Sequence, residues 1–532
     1  MKEVIIKELS KITKISKKEI ESLIEIPKKD FGDFAFPTFQ LAKTLKKNPS
    51  DIAKDLAKKI NLKDTKIEPI NAYVNFYINK EKLAHRIIKN KKKKQKKGKI
   101  IVEHTSINPN ASPHMGRIRN SLIGDSIVRI LKFSGHDVRT HYYVNDVSKQ
   151  IAMLVLICNG KEKFKDLIKK YQEIHKKIKK NPKLEKKVFD LLAKFEKGDS
   201  NTRKKFKKIV DIAIKGQKSL LKQIGIEFDF FDYESKFLKE QGKIIKQLEK
   251  TGKLFKDKDN RQILRQEELK NMMKSPVLVL TRNDNTGLYP LRDIAYTKWK
   301  MKKGDNLIIL GEDQKLYFKQ IKSALNLLNL PSPIPIHYSF VLIQEKGKTK
   351  KMATRKGDFV LLEDFLEKAI EKAQKKTKNK KTAKTIALAA IKYSILRNAP
   401  SKNIIFNLDE SLKFEGNTGP YLLYSYARAS SIIRKSKKKT NLKKENVSEK
   451  EIKLLKKINE FSLVLERANQ RYAPNLLANY SYELAKAFNE FYHTEKVIKS
   501  EKEEFKLAII EKFRETLKES LSLLGINVLE KM

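Results

Sequence analysis

Ile100-Ile101-Val102-Glu103-His104-Thr105-Ser106, continued by Asn108-Pro109-Asn110-Ala111-Ser112-Pro113-His114-Met115-Gly116-Arg117, is the stretch whose reading decides the fold. The run Ile100 to Val102 is apolar without alternation, as in a strand buried on both faces of a parallel sheet. Residues 114–134 have helical spacing, Gly135 stands where a left-handed C-cap belongs, and Val138 to Val144 return as a strand. Strand, helix, strand is a βαβ opening, and it predicts an α/β domain.

Working outward, a lysine-rich run from Lys91 to Lys99 sets this domain apart from residues 1–90. There Ile52, Leu56 and Ile60 have helical spacing, and Ala72 to Ile78 alternate as a strand, predicting an α+β unit. Downstream, residues 156–273 are charged, helically spaced and poor in strand signals, and read as a helical insertion. Val277 to Leu280, Leu307 to Leu310 and Ile336 to Ile343 then resume a mostly parallel sheet, whose strands carry ligands at their C-terminal ends. From Thr382 onward the spacing is helical throughout, as in Leu476, Leu477, Tyr480, Leu484 and Phe488, with a basic loop from Lys435 to Lys444. The expected domains are 1–90, 91–381 and an all-α bundle at 382–532.

The 532 residues carry 117 Lys+Arg against 63 Asp+Glu, a formal charge of +54. An excess of that size suits a polyanionic partner, nucleic acid above all, or else reflects lysine-heavy usage spread over solvated helix faces. A single cysteine, Cys158, excludes an internal disulfide and a cysteine-based zinc site, and fits a reducing cytoplasm. No segment approaches the ~20 apolar residues of a membrane span, and Met1-Lys2-Glu3 opens an amphipathic stretch, not a signal peptide.

Nucleotide chemistry narrows next. Gly347-Lys348-Thr349 lacks the glycine five positions earlier that a phosphate-binding P-loop needs, since Leu342 stands there, and no Gly-x-Gly-x-x-Gly follows a strand. Two other elements remain. At the first, Pro113 suits a helix start, His114 and Arg117 fall on one face of its first turn, and Gly116 leaves room for a base or ribose against the backbone. Phosphate there would meet unpaired amides and the positive end of the helix dipole. Alone, His114 is as easily a capping or core histidine. The second is the cationic loop Lys350-Lys351-Met352-Ala353-Thr354-Arg355-Lys356-Gly357-Asp358 after the last sheet strand.

Together these two elements resemble the His-x-Gly-His motif and Lys-Met-Ser-Lys-Ser loop with which class I aminoacyl-tRNA synthetases hold ATP. Val102 through Asn120 and Lys351 to Gly357 resemble the arginine-specific enzymes in particular. Phe31-Gly32-Asp33-Phe34, Tyr289-Pro290-Leu291-Arg292-Asp293-Ile294, Phe414 to Tyr421 and Glu530-Lys531-Met532 extend the likeness over nearly the whole chain. The resemblance implies a Rossmann-like catalytic domain, a monomer, and ligation of L-arginine to tRNA(Arg) through an arginyl-adenylate. Magnesium is expected to accompany the pyrophosphate of ATP, and no metal ligands stand out in the sequence.

Class I activation needs positioned cations and amides more than a covalent nucleophile. The resemblance places Pro113, His114, Gly116, Arg117, Lys351, Met352 and Arg355 at ATP, and of these His114, Gly116, Arg117, Lys351 and Arg355 carry the catalysis. A guanidinium calls for carboxylates and an aromatic neighbour. The resemblance implies Tyr289 and Asp293 for the arginine side chain, with Glu103 and Glu234 contributing, and Asn108 and Gln314 for the α-amino end. By spacing alone Asp293 reads as a surface salt bridge and Tyr289 as a core ring. For the RNA, Tyr73 and Asn75 on one strand face would meet the elbow, and Tyr424 and Arg428, four apart on one helix face, would lie with Met532 near the anticodon. Routine helix packing is the other reading of Tyr424.

Two positions depart from the family pattern. Arg117 stands for the second histidine and Thr354 for the second lysine, and Ala111-Ser112 lack the lysine that often compensates. An inactive tRNA-binding paralogue, or a class I synthetase for another amino acid, are the competing expectations.

Overall fold

In the computed structural model the described residues are 2–27, 31–90, 96–110, 112–113, 115–345, 348–351, 361–436, 438, 440–441 and 446–532. They fall into two units. The first comprises residues 1–92, 432–459 and 487–513, and the second comprises 93–431, 460–486 and 514–532.

In chain order the first unit opens with α1 (Lys2–Thr13), α2 (Lys17–Leu23), β1 (Phe34–Pro37), α3 (Phe39–Leu45), α4 (Pro49–Lys59), β2 (Thr65–Ile70), β3 (Tyr73–Ile78) and α5 (Lys80–Lys89). The three strands form an antiparallel sheet with β3 in the centre. Ile52, Ala53 and Leu56 of α4 pack on Val74 and Phe76, which is what their helical spacing requires. Asp33 accepts the Ile78 N–H at 2.7 Å and meets Lys456 at 2.7 Å, so the Phe-Gly-Asp-Phe stretch ties this sheet to residues 432–459 of the same unit.

The second unit begins with β4 (Lys97–Glu103), α6 (Met115–Phe133), β5 (His136–Val144), α7 (Lys149–Ile157), α8 (Leu167–Lys180), α9 (Lys183–Lys197), α10 (Ser200–Gln223), β6 (Phe230–Tyr233) and α11 (Gln241–Glu249). It continues with β7 (Leu254–Lys256), β8 (Gln262–Arg265), β9 (Val277–Val279), α12 (Tyr289–Met301), β10 (Asp305–Gly311), α13 (Lys315–Leu327), β11 (Ile334–Tyr338), β12 (Val341–Glu345) and β13 (Lys348–Lys351). After these come α14 (Leu362–Gln374), α15 (Lys380–Leu396), β14 (Ile404–Phe406), α16 (Leu408–Ser411) and α17 (Gly419–Lys435). The remaining helices, shared between the units, are α18 (Glu449–Asn459), α19 (Phe461–Arg471), α20 (Pro474–Thr494) and α21 (Glu503–Leu523). Among the described residues no helix is long and apolar enough to cross a membrane.

The central sheet is parallel, in the order β11-β10-β4-β5-β6. From β4 the chain winds to one side through α6, and from β10 to the other through α13. The switch point therefore lies between β4 and β10, where an open α/β sheet leaves a crevice at the strands' C-terminal ends. Gly135, with φ of +97°, closes α6 as its position predicts.

Four expectations change. The region read as a helical insertion holds α8, α9 and α10, but it then returns to the central sheet as β6 and contributes β7 and β8. Val277–Leu280 supplies β9 of a separate antiparallel sheet, not a parallel strand. Ile336–Ile343 is two strands, the second of which, β12, joins β13 and β14. Among the described residues beyond Thr382 there is one strand, β14. All these strands have three to five residues, too few to show a period, and their neighbours in space supply the ladder.

Gly124 on α6 sits where a Cβ would overlap the ring of His104, itself 1% exposed at the end of β4. Alanine would gain about 1 kcal/mol of helix propensity, but the enclosed ring cannot retreat and overpacking costs about 1–3 kcal/mol. Gly124→Ala is therefore expected to lower the urea midpoint of unfolding; an unchanged or higher midpoint would show that the helix can shift.

Candidate active site

The chain leaves β4 through two residues that L side chains rarely allow, Thr105 at φ of +71° and Ser106 at +40°. Their strain is held by α6: Asn120 accepts the Thr105 N–H at 2.5 Å and donates to the Ile309 carbonyl of β10 at 2.8 Å, while Thr105 Oγ1 donates to Ser121 Oγ at 2.9 Å. Asn120 thereby joins both strands of the switch point. His104 is buried, which pushes its imidazole down to about 3 and keeps it neutral.

At the start of α6, Pro113 is buried two residues before the helix begins, and Gly116 and Arg117 are half-buried. Arg117 stands beside the Tyr338 hydroxyl at the end of β11; burial raises that hydroxyl's pKa and the guanidinium pulls it back. Lys351 ends β13 opposite Leu342. His114, Met352 and Arg355 lie outside the described residues.

A second group gathers beyond β4, β5 and β6. Glu234 follows β6 at 0% exposure and pairs with Arg292 Nε, whose Nη1 also donates to the Gly287 carbonyl at 2.9 Å. Burial holds the Glu234 carboxyl above the usual carboxylate range against the pull of Arg292. Glu103 pairs with Lys300, which is 1% exposed and lies 4.6 Å over the Tyr296 ring. Asp293 accepts from the Tyr317 hydroxyl, and among the described residues no Lys or Arg forms an ion pair with it. Burial, with Glu103 nearby, pushes its carboxyl up to about 6. Tyr289, 51% exposed, tilts onto Tyr317 with ring centroids 5.1 Å apart. Among the described residues the buried Glu234 Oε2 has no hydrogen-bond partner.

The structure thus brings Glu103, Glu234, Tyr289 and Asp293 together. Glu103 and Glu234 each already pair with a cation of the protein, and Tyr289 is not a core ring. Asn108 and Gln314 are engaged otherwise. Asn108 is exposed and donates to Gln150 at 3.0 Å, while Gln314 caps its own turn by accepting the Gly311 N–H at 3.2 Å. Arg292, Lys300, Tyr143, Tyr317 and Asn120 were not singled out from sequence. Of these, Arg292 lies within the family motif at 289–294 and Asn120 three residues after Arg117 on one helix face; the others left no signal there.

Among the RNA candidates, Tyr73 is half-buried with Phe39 edge-on to it at 5.6 Å. Asn75 corrects the expectation of an accessible residue: it is 2% exposed, because the face of β3 that it shares with the half-buried Tyr73 and Tyr77 is covered at its position. On α17, Arg428 donates to the Tyr424 hydroxyl at 3.0 Å and lies 4.7 Å over its ring, so the two form one exposed group. Met532 is 44% exposed, two residues beyond Glu530, which accepts from Tyr426 of the same helix at 2.8 Å. Among the described residues no group of three or more His, Cys, Asp or Glu is placed to hold a metal ion.

Comparison with known proteins agrees with this arrangement. The tRNA synthetases class I (R) catalytic domain matches residues 80–408, the DALR anticodon binding domain 422–532, and the arginyl tRNA synthetase N terminal domain 1–79. The arginine–tRNA ligase of Methanocaldococcus jannaschii is 35% identical, over 99% of this chain and 97% of that protein. That of Archaeoglobus fulgidus is 36% identical, over 93% and 94%. The solved structure of Thermus thermophilus arginyl-tRNA synthetase superimposes with a TM-score of 0.83 at 24% identity, covering 100% of this chain and 99% of that one, a likeness of fold. With a parallel, Rossmann-like central sheet, a class I catalytic-domain match over residues 80–408 and relatives of this identity along its whole length, the chain belongs to the arginyl-tRNA synthetases of class I.

Proposed function

We propose that the chain, as a cytoplasmic monomer, ligates L-arginine to tRNA(Arg) by way of an arginyl-adenylate, releasing pyrophosphate and then AMP. The observation that carries the choice of amino acid is the charge of the pocket. Lys300 answers Glu103 and Arg292 answers Glu234, while among the described residues Asp293 meets tyrosine hydroxyls and no ion-pair partner, beside an exposed tyrosine ring and an oxygen of Glu234 without a hydrogen bond. A guanidinium brings the missing positive charge, several donors and a flat face for Tyr289.

In this reading Asn108 and Gln314, at the ends of β4 and β10, hold the α-amino group after giving up their present partners. The arginine carboxylate then attacks the α-phosphate in line, with His114, Gly116, Arg117, Lys351 and Arg355 around the nucleotide, Pro113 and Met352 bordering it, and Arg117 supplying charge where the family has histidine. Magnesium travels with the phosphates as part of the substrate. Residues 1–90, through Tyr73 and, where a buried amide can be reached, Asn75, take the RNA elbow. Residues 91–381 hold the chemistry, and 382–532 take the anticodon on Tyr424, Arg428 and Met532.

Aminoacylation of a total tRNA pool with each labelled amino acid, ATP and magnesium tests the proposal. Arginine alone should be esterified. A protein that binds the RNA and charges nothing would be an inactive paralogue, and one that charges another amino acid would refute the pocket.

The pocket also predicts a pH dependence. With the Asp293 carboxyl at about 6, it is ionised at pH 7.5 and neutral at pH 5, so the arginine site loses its charge as pH falls. Calorimetric titration with arginine, free of the titrating phosphates of ATP, should show Kd flat above about pH 7 and rising toward ~10-fold per unit below about 6. A Kd that stays flat down to pH 4.5 would remove Asp293 from the site.

A further inference from the structure

The ATP motifs at 113–117 and 351–355 are more than 230 residues apart, yet both flanks of the second are fastened to residues flanking the first. Downstream of that loop the chain enters α14, where the Leu362 N–H donates to the Pro113 carbonyl at 2.9 Å and Glu363 Oε2 accepts from the Ser112 hydroxyl at 2.7 Å. Upstream, Arg119 is 0% exposed. Its Nη1 donates to the carbonyls of Ser339 at 2.7 Å and Phe340 at 3.3 Å, the two residues before β12, and its Nη2 donates to Ala399 at 2.9 Å. Ser339 is itself held by Glu312 Oε2 at 2.6 Å and the Ser401 carbonyl at 2.8 Å.

Buried arginines ordinarily face a carboxylate. Arg119 instead spends its donors on main-chain oxygens, and among the described residues its Nε has no partner. Main-chain oxygens define where a backbone lies, which a packed apolar side chain would do less sharply. Ser112 is 6% exposed, and its hydroxyl reaches across 251 residues of sequence to the first turn of α14.

We infer that Arg119 on one side and the Ser112–Glu363 pair on the other form a two-point tether. It holds the ends of segment 341–361 in register with the start of α6, and this makes Ser112, Glu363 and Arg119 positioning residues for the activation step. The inference rests on the ATP roles proposed above for residues 113–117 and 351–355. In-line transfer depends on placing cations around the phosphates, and a displacement of ~1 Å costs up to ~100-fold in rate.

The test uses the full-length protein with tRNA and measures arginine-dependent pyrophosphate exchange in Ser112→Ala, Glu363→Ala and the double variant. Each single change is expected to lower kcat/KM for ATP by about 10- to 100-fold. The double variant should fall no further than the worse single one, because both remove the same bond. KM for arginine, Kd for tRNA and the melting temperature should stay those of the parent, and Ser112→Thr and Glu363→Gln, which keep a donor and an acceptor, should restore most of the loss. Unchanged kinetics, additive losses, an equal rise in KM for arginine, or losses that follow the melting temperature would each overturn the tether. If the parent protein itself fails to exchange pyrophosphate with arginine and tRNA present, the proposed function falls. If it is active and the variants match it, the tether alone falls.

Discussion

Asp293→Asn is expected to lower kcat/KM for arginine by about 30- to several-thousand-fold, the equivalent of 2–5 kcal/mol for removing one partner of a desolvated charge pair. Asparagine keeps the shape and can still accept from the Tyr317 hydroxyl, so the pocket should survive while its charge does not. Stability should move the other way. The folded carboxyl sits at about 6 against 3.8 for the free group, so its ionised form opposes folding, and that cost is present in full above about pH 6. Because Asp293 keeps partial solvent access, the relief on neutralisation is on the order of 1 kcal/mol. Aminoacylation kinetics beside a melt at pH 7.5 should therefore show a stabler, inactive variant. Arginine kcat/KM within threefold of the parent would detach the guanidinium from Asp293.

Arg117→Ala should lower arginine-dependent pyrophosphate exchange by about 100- to 1000-fold, as loss of one charge-stabilising donor does in other transferases of acyl or phosphoryl groups. The guanidinium stands at the start of α6 beside Tyr338, which ends β11. The Kd for arginine should not change, because the acidic cluster does not contain Arg117, and Arg117→Lys should keep part of the rate by keeping the charge. Unchanged exchange in the alanine variant would reduce Arg117 to a packing partner of Tyr338 and leave the departure from the family motif without compensation.

Much of this is legible in the sequence. The βαβ opening, the helix read at 114–134 and found at 115–133 with its glycine stop, the α+β unit at the N-terminus and the helical C-terminal region follow from period and punctuation, which are local properties of the chain. Tyr289 and Asp293 could be named only through the family motif, since alone a tyrosine and an aspartate four apart have no stated purpose. The strands missed or misassigned, β6, β9, β12 and β14, are too short to carry a period. Asn75 was misjudged because alternation tells which face a side chain takes and not whether that face is covered.

By itself the sequence determined the classes of element, the nucleotide motifs and the excess of positive charge, because each depends on residues close together along the chain. Only the tertiary structure decided which charges meet. Glu103 finds Lys300, Glu234 finds Arg292, and Asp293 finds neither, across separations of 197 and 58 residues for the two pairs. The imbalance of charge is a difference between groups brought within a few ångströms by folding, where low dielectric makes it count.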